Sequence, residues 1–255
     1  MEWSRAKSIL ILLMLLANIY LGLNIAMQIR ERSSQEKAMA HSAWSIITQQ
    51  GVVVDEQTLL ELNVEEKGYV LLRDTSMERT AAEGLLGHCH EESPGGGIYS
   101  YSSERGELTF RSGGYIELEW QGEGEPGVYA MLSQNQQEGF EVRQEDDGWR
   151  LYVNGDEVIG AFVGKNDGDG VDYSGSWAFG IVEASDSESL SRPAMILALG
   201  RALSGTTGAD ADRIDNAYVL TSAQSGDMRL IPVWRVYAGD DVFFISQLTG
   251  ERLTL

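Results

Sequence analysis

The sequence predicts an α+β protein: an N-terminal transmembrane helix followed by antiparallel sheets with packed helices, arranged as two related subdomains. Three observations carry that expectation. No charged residue stands between Ser8 and Ile29. From "KGYVLLRD" onward, short apolar or alternating runs are separated by Gly-rich turns, which is strand patterning. Helix-forming stretches with recognisable starts and stops interrupt those runs, and the order helix then strands occurs twice.

The first element is the most informative. In "MEWSRAKSILILLMLLANIYLGLNIAMQIRER" the charge-free run from Ser8 to Ile29 has 22 residues. As a helix it is roughly 33 Å long, enough to cross a hydrocarbon core. Trp3 lies at one interface. Arg5 and Lys7 precede the span and Arg30 and Arg32 follow it, so flanking charge is nearly balanced, and the free amino terminus tips the orientation towards N-in. The apolar run is longer than a cleavable signal's core of about 7–15 residues. The A-x-A at Ala38-Met39-Ala40 falls well beyond the run. An uncleaved signal anchor is therefore expected. Within it Asn18, Gly22 and Ala26 recur at i, i+4 and i+8. That spacing places an amide and two small residues on one face, where a second membrane helix can approach and bond.

"ERSSQEKAMAHSAWSIITQQG" reads as a helix continuing or restarting after the membrane, ended by Gly51. "KGYVLLRD" is a short strand. "TSMERTAAEGLLG" is a helix capped by Thr75 or Ser76. "GIYSYSSERGELTFRSGGYIELEW" is a run of strands with turns at Glu104-Arg105-Gly106 and Ser112-Gly113-Gly114. In its last strand Ile116, Leu118 and Trp120 alternate with Tyr115, Glu117 and Glu119, which gives one wet face. "GEGEPG" marks a boundary near residue 125. The expected division is 1–30 for a cytoplasmic tip and span, 31–124 for one extracytoplasmic subdomain and 125–255 for a second. Beyond the boundary, "GWRLYVNGDEVIGAFVG" is a hairpin about Asn154-Gly155 and "SGSWAFGIVEA" a strand. "SESLSRPAMILALGRALSG" is a helix with Pro193 in its first turn and Gly205 past its end. "NAYVLTSA", "MRLIPVWRVYA" and "DVFFISQLTG" form a closing meander that turns at Asp240.

Composition excludes several functions. The chain has 255 residues, 43% hydrophobic, with four Pro and a net charge of −20 from 39 acids and 19 bases. It is foldable rather than disordered. Its charge repels phosphate backbones and anionic headgroups, so neither nucleic acid nor a basic membrane-surface patch is expected. With Cys89 as the one cysteine, no intrachain disulfide is possible.

The search for chemistry finds no strong motif. "GHCHEE" gathers His88, Cys89 and His90, but a structural zinc site needs a second ligand cluster, and adjacent side chains cannot all turn to one ion. A solvated turn is the simpler reading. In "KNDGDGVD", setting Gly170 at the sixth place of a calcium loop puts Lys165 at the first and Ser176 at the twelfth, which fails the pattern. Neither a nucleophile elbow, a zincin helix nor a phosphate loop is present. No catalytic residue, metal or cofactor is expected.

Two stretches carry a family resemblance. "MEWSRAKSILILLMLLANIYL", with Trp3 and Ser4 in an acidic-Trp-Ser opening, resembles the start of the YycI proteins. "PVWRVYAGDDVFFISQLTGE" is similar to that family's closing hairpin, at Pro232, Trp234, Thr249, Gly250 and Glu251. PepSY-type domains end in a similar meander. The resemblance implies a single-pass accessory protein, N-terminus cytoplasmic and folded part outside. Such a protein binds a WalK/YycG-like sensor histidine kinase of a cell-wall-controlling two-component system through its membrane helix. A YycH-like sister protein is the implied second partner. The acidic, Gly-rich outer part departs from the family. Two other functions compete. A PepSY-like inhibitor or chaperone of a secreted hydrolase would bind its target without residues 1–30. A membrane-tethered cell-wall enzyme would lose activity on mutation of specific acids.

Overall fold

The structure is a computed structural model that describes residues 2–254 except 65, 136–137, 167–170, 178, 205–209 and 223–226, with the backbone alone for 2–6, 8–10, 135 and 171. The chain is α+β, a long apolar N-terminal helix followed by a large mixed sheet and four further helices among the described residues.

Helix α1 (Glu2–Gln49) is continuous for 48 residues, about 72 Å at 1.5 Å per residue. It is long and apolar enough to cross a membrane; its apolar window has a mean hydropathy of 1.8 and no part of that window is buried. The helix restarts nowhere after Arg30. Its last turns bury Ala40, Ala43 and Ile47.

The rest forms two interleaved layers. The first contains α2 (Glu56–Glu61), β1 (Tyr69–Leu72), and, far along the chain, β10 (Ile181–Ala184), α5 (Arg192–Leu203), β11 (Arg213–Ser222), β12 (Met228–Ala238), β13 (Asp241–Ser246) and β14 (Arg252–Leu253). The middle of the chain supplies the second: α3 (Thr75–Leu86), β2 (His90–Gly95), β3 (Ile98–Ser103), β4 (Gly106–Phe110), β5 (Tyr115–Trp120), α4 (Val128–Leu132), β6 (Phe140–Glu145), β7 (Gly148–Val153), β8 (Asp156–Lys165) and β9 (Val171–Ser176).

Strand order runs β10-β1-β12-β11-β8-β9-β5-β4-β3-β2, with β13 and β14 beside β12, and with β7 and then β6 branching from β8. Strand β8 joins the layers. Its start pairs with β11 at Tyr218↔Val158, and its end pairs with β9 at Phe162↔Ser176. The β8–β11 pair is parallel, so the sheet is mixed rather than antiparallel throughout. Pairing also runs across the boundary expected near residue 125. Leu71 of β1 lies opposite Met228 and Val182, and Leu118 of β5 lies opposite Tyr173 of β9.

Two main cores form, and the first also takes in Leu71, Tyr218, Met228 and Leu230 from β1, β11 and β12. Helices α3 and α4 set Ala81, Leu85, Met131 and Leu132 against Tyr101, Leu108, Phe110 and Leu118 of the middle layer. The end of α1 and α5 set Ile47, Met195 and Leu199 against Trp234, Val236, Phe243 and Ile245.

Local chemistry explains several departures from expectation. Helix α3 is capped by Asp74, not by Thr75 or Ser76. Its carboxylate accepts the Ser76 amide at 2.8 Å, leaving Thr75 as the first helical residue. "SGSWAFGIVEA" is two strands in different layers: β9 stops at Ser176, Trp177 turns into the core, and β10 starts after Gly180. His90 begins a strand where a turn is expected, because β2 pairs with β3 at His90↔Ser102. The turn at Asn154-Gly155 forms as expected, both residues having positive φ (53° and 95°).

Candidate functional site

The Asn18 face of α1 and the closing motif are the candidate sites. Asn18, Gly22 and Ala26 are all exposed, and a Cβ at Gly22 would meet open space. Within the described residues this face of α1 touches no other element. Trp3 and Ser4 lie in its first turn, roughly 66 Å along the helix from Ile47, and their side chains lie outside the described residues.

The other end of α1 is anchored firmly. Ile47 crosses α5 at Gly200, where an added Cβ would overlap the Ile47 Cγ2 methyl and come within 3.0 Å of its Cβ. Trp44 donates its indole N–H to the Val54 carbonyl at 3.0 Å. His41 Nδ1 lies 2.7 Å from Glu56 Oε1. Arg192 donates to the Leu59 and Leu62 carbonyls at 2.8 and 2.5 Å and lies 3.5 Å from Glu36 of α1. One guanidinium thus ties α5, the end of α2 and α1 together.

The closing motif reaches the same helix. Trp234 is fully buried, and its indole N–H donates to the Asn63 carbonyl at 3.4 Å. Pro232 is buried in β12, and its carbonyl accepts the Gln247 amide at 2.8 Å. Strand β13 stops at Ser246, and Thr249-Gly250-Glu251 lie in the connection between β13 and β14 rather than in a strand. The Ser246 hydroxyl accepts the Thr249 amide at 3.3 Å. The Ser246 carbonyl accepts the Gly250 amide at 2.8 Å, and the Glu251 carbonyl accepts the Ser246 amide at 2.9 Å. Gly250 has φ +71°, and a Cβ there would come within 3.1 Å of Ala198 and Leu190. The motif therefore docks the end of the chain on α5. Trp234 and Phe243 fill the core beneath α5, while Phe244 lies half-buried on the opposite face, beside Val233.

The remaining candidates do not converge. His88 and His90 are exposed, His88 precedes the strand, and His90 Nε2 lies 3.7 Å from Glu92 Oε1. Cys89 lines an open cleft of about 960 Å³. Burial, then the Glu83 charge, pushes its thiol up, which disfavours the thiolate a nucleophile needs. Among the described residues no group of three or more His, Cys, Asp or Glu is placed to hold a metal. Residues 167–170 of the calcium-like stretch lie outside the described residues. Its flanks pair as a hairpin, the Asp172 carbonyl accepting the Asn166 amide at 2.8 Å.

One polar cluster escapes any sequence pattern. Glu66 is buried beneath β11, where it accepts the Tyr218 hydroxyl at 2.7 Å and the Asn63 amide. Beside it Asp156 begins β8. Burial raises the Asp156 carboxyl to about 6, the charges of Glu66 and Asp215 add to this, and Arg235 opposes it. Its residues are 66, 156 and 218, so no spacing in the sequence announces it.

No protein-family model and no curated protein matches the chain. A crystal structure of an uncharacterized protein from Eubacterium rectale is similar to it, covering 74% of this chain and 86% of that one at 10% identity and a TM-score of 0.38.

Proposed function

We propose that this chain is a membrane-anchored accessory regulator. In this reading α1 binds the transmembrane part of a WalK/YycG-like sensor histidine kinase, with a YycH-like sister protein as second partner, and modulates kinase activity. The amino terminus is cytoplasmic and the folded part extracytoplasmic. The observation that supports the reading best is α1 itself. One unbroken helix carries the exposed Asn18, Gly22 and Ala26 at one end and Ile47, packed against Gly200, at the other. A helix so anchored in a core has a fixed direction, so a partner gripping its outer face is held relative to the whole domain.

The magnitudes fit modulation rather than switching. An amide bond between membrane helices contributes about 1 kcal/mol. That shifts a two-state kinase by roughly fivefold, whereas full reversal needs about 5.5 kcal/mol. The role requires neither catalysis nor a cofactor.

Detergent co-purification tests this. The tagged full-length chain is compared with one whose residues 8–29 are replaced by an unrelated span. Recovery of the kinase with the native helix alone is the expected outcome. Equal recovery with both moves recognition to the outer domain. No kinase with either sinks the regulator reading and favours the inhibitor of a secreted hydrolase.

A further inference from the structure

Four of the described strands, β2, β6, β10 and β14, have one neighbour each and so leave one edge open. An open edge is a row of unpaired amides and carbonyls that another strand can bind, and most proteins blunt it. Here β10 has four residues and β14 two. Strand β2 carries Pro94 and an irregular register between Glu92 and Gly95. Strand β6, "FEVRQE", has six residues, no proline and an unbroken register with β7.

The hairpin with β7 fixes which way the backbone of β6 points. The Gly139 carbonyl accepts the Asn154 amide at 2.7 Å, which makes 139 and 154 a hydrogen-bonded pair. Such pairs alternate along an antiparallel ladder. With Glu141↔Tyr152, Arg143↔Arg150 and Glu145↔Gly148 opposite each other, residues 141, 143 and 145 turn their amides and carbonyls towards β7. Phe140, Val142 and Gln144 turn theirs outward. The side chains alternate too: Glu141, Arg143 and Glu145 are exposed on one face, and Val142 is buried on the other. Arg143 lies 2.6 Å from Glu141, and its guanidinium sits 4.1 Å from the centre of the Tyr152 ring, so both charges are held in place beside the open edge.

We propose that β6 joins two copies of this chain edge to edge, antiparallel, about a two-fold axis at Val142. Among symmetric pairings of "FEVRQE" with itself, this one alone engages all three outward residues. Phe140 meets the partner's Gln144, Val142 meets its own copy, and Gln144 meets the partner's Phe140. The same register sets Glu141 opposite the partner's Arg143, and Arg143 opposite the partner's Glu141. Opposite charges so placed stabilise a sheet. An axis one residue earlier would face Glu141 with its own copy. An axis one residue later would face Arg143 with its own copy and Glu141 with the partner's Glu145. Backbone direction and charge therefore select one register independently. One strand per copy buries less than the roughly 1,200 Å² of a self-sufficient interface. The net charge of −20 also opposes approach. The pairing therefore belongs to copies already held close together. Helix α1, long and apolar enough to cross a membrane, would confine them to one bilayer and raise their effective concentration. The edge lies on β6 and not on α1, so the pairing is independent of which partner the Asn18 face binds.

Register-specific cross-linking of the full-length chain in phosphatidylcholine vesicles tests the pairing. Two chains, both Cys89→Ser, carry Glu141→Cys and Arg143→Cys respectively. Mixed before reconstitution and exposed to a mild oxidant, they are expected to join through residues 141 and 143, whose Cα atoms would lie about 4.5 Å apart. Either chain alone should cross-link at least about tenfold more slowly, because its cysteines would lie more than about 7 Å apart. Equal rates, or no cross-link in the mixture, overturn the proposal. Energy transfer between labelled copies in the same vesicles, with native Glu141 and Arg143, supplies the charge test. Glu141→Arg should weaken the dimer at least about tenfold, since like charges then face each other at both symmetry-related places. Adding Arg143→Glu to it should restore the dimer to within about threefold of native. A double variant as weak as the single one overturns the pairing. Gln144→Pro guards against misfolding: its amide points away from β7, so thermal unfolding should stay where it is while the dimer is lost. A dimer that survives it overturns the edge contact. Replacing residues 8–29 by an unrelated span should leave the 141–143 cross-link in place, and its loss would move the contact to α1.

Discussion

Gly200 is a residue whose role only packing reveals. In "ALGRAL" a mid-helix glycine costs about 1 kcal/mol relative to alanine and offers no pattern to justify it. Its reason is Ile47, which occupies the space a Cβ would need. Gly200→Ala is therefore expected to destabilise the folded part by about 1–3 kcal/mol through overpacking, despite the gain in helix propensity. Ile47→Ala should cost about 2–5 kcal/mol through the cavity it leaves. Together they should cost clearly less than their sum, because the alanine methyl at 200 fills part of the space vacated at 47. Urea unfolding of the two single variants and the double variant measures this. Strict additivity would show that the two residues do not share the contact. Trp234 and Gly250 contrast with Gly200. Their motif stands out in the sequence, yet what it does, docking the end of the chain on α5, depends on Ala198 and Leu190 some fifty residues earlier.

Among the elements, α1 was the most legible and was still underestimated. A charge-free run reveals a helix long and apolar enough to cross a membrane, and "AHSAWSII" reveals an apolar side, but the polar stretch between them leaves open whether one helix or two result. The structure makes them one. Strands with tight turns were equally legible, because Asn154-Gly155 and Glu104-Arg105-Gly106 fix the hairpins locally. Strands whose partners lie far along the chain were not. Strand β10 has four residues, and β1 secures it by pairing from more than 100 positions away. The rigid α1 gives a prediction of its own. Inserting Gly-Ser-Gly-Ser after Ser34 breaks the rod just ahead of Glu36, which lies 3.5 Å from Arg192 of the folded part. Thermal unfolding should barely move. Under the proposed regulator role, the kinase should still co-purify through Asn18, Gly22 and Ala26, while its autophosphorylation should lose its response to this chain. An unchanged response would mean that the apolar part of α1 acts alone and the folded domain contributes nothing.

At the scale of the molecule, the chain's order and the sheet's order disagree, and this determines how the protein can be divided. The Gly- and Glu-rich stretch near residue 125 looks like a linker because composition reports solubility, not partnership. Strands on either side of it pair with each other, β1 with β10 and β12 and β5 with β9. Without residues 125–255, β1 loses both neighbours, β10 and β12, and β5 loses β9. Without residues 1–124, α5 loses the cover of Ala40, Ala43 and Ile47, and β9 loses β5. Each loss strips buried apolar surface worth several kcal/mol from a fold whose whole margin is about 5–15 kcal/mol. Neither 31–124 nor 125–255 is therefore expected to fold when expressed alone, and each should lack a cooperative urea transition. Co-expression should restore one transition shared by both pieces, because long-range pairing rather than the peptide bond at 124–125 defines the core. A cooperative transition from either piece alone would establish two independent subdomains. It would also mean that the β1–β12 and β5–β9 pairings stabilise little. The charge of −20 adds a second reading to the same experiment. Self-repulsion opposes reassembly, so association of the pieces should strengthen between low salt and about 0.15 M, where screening reaches about 8 Å.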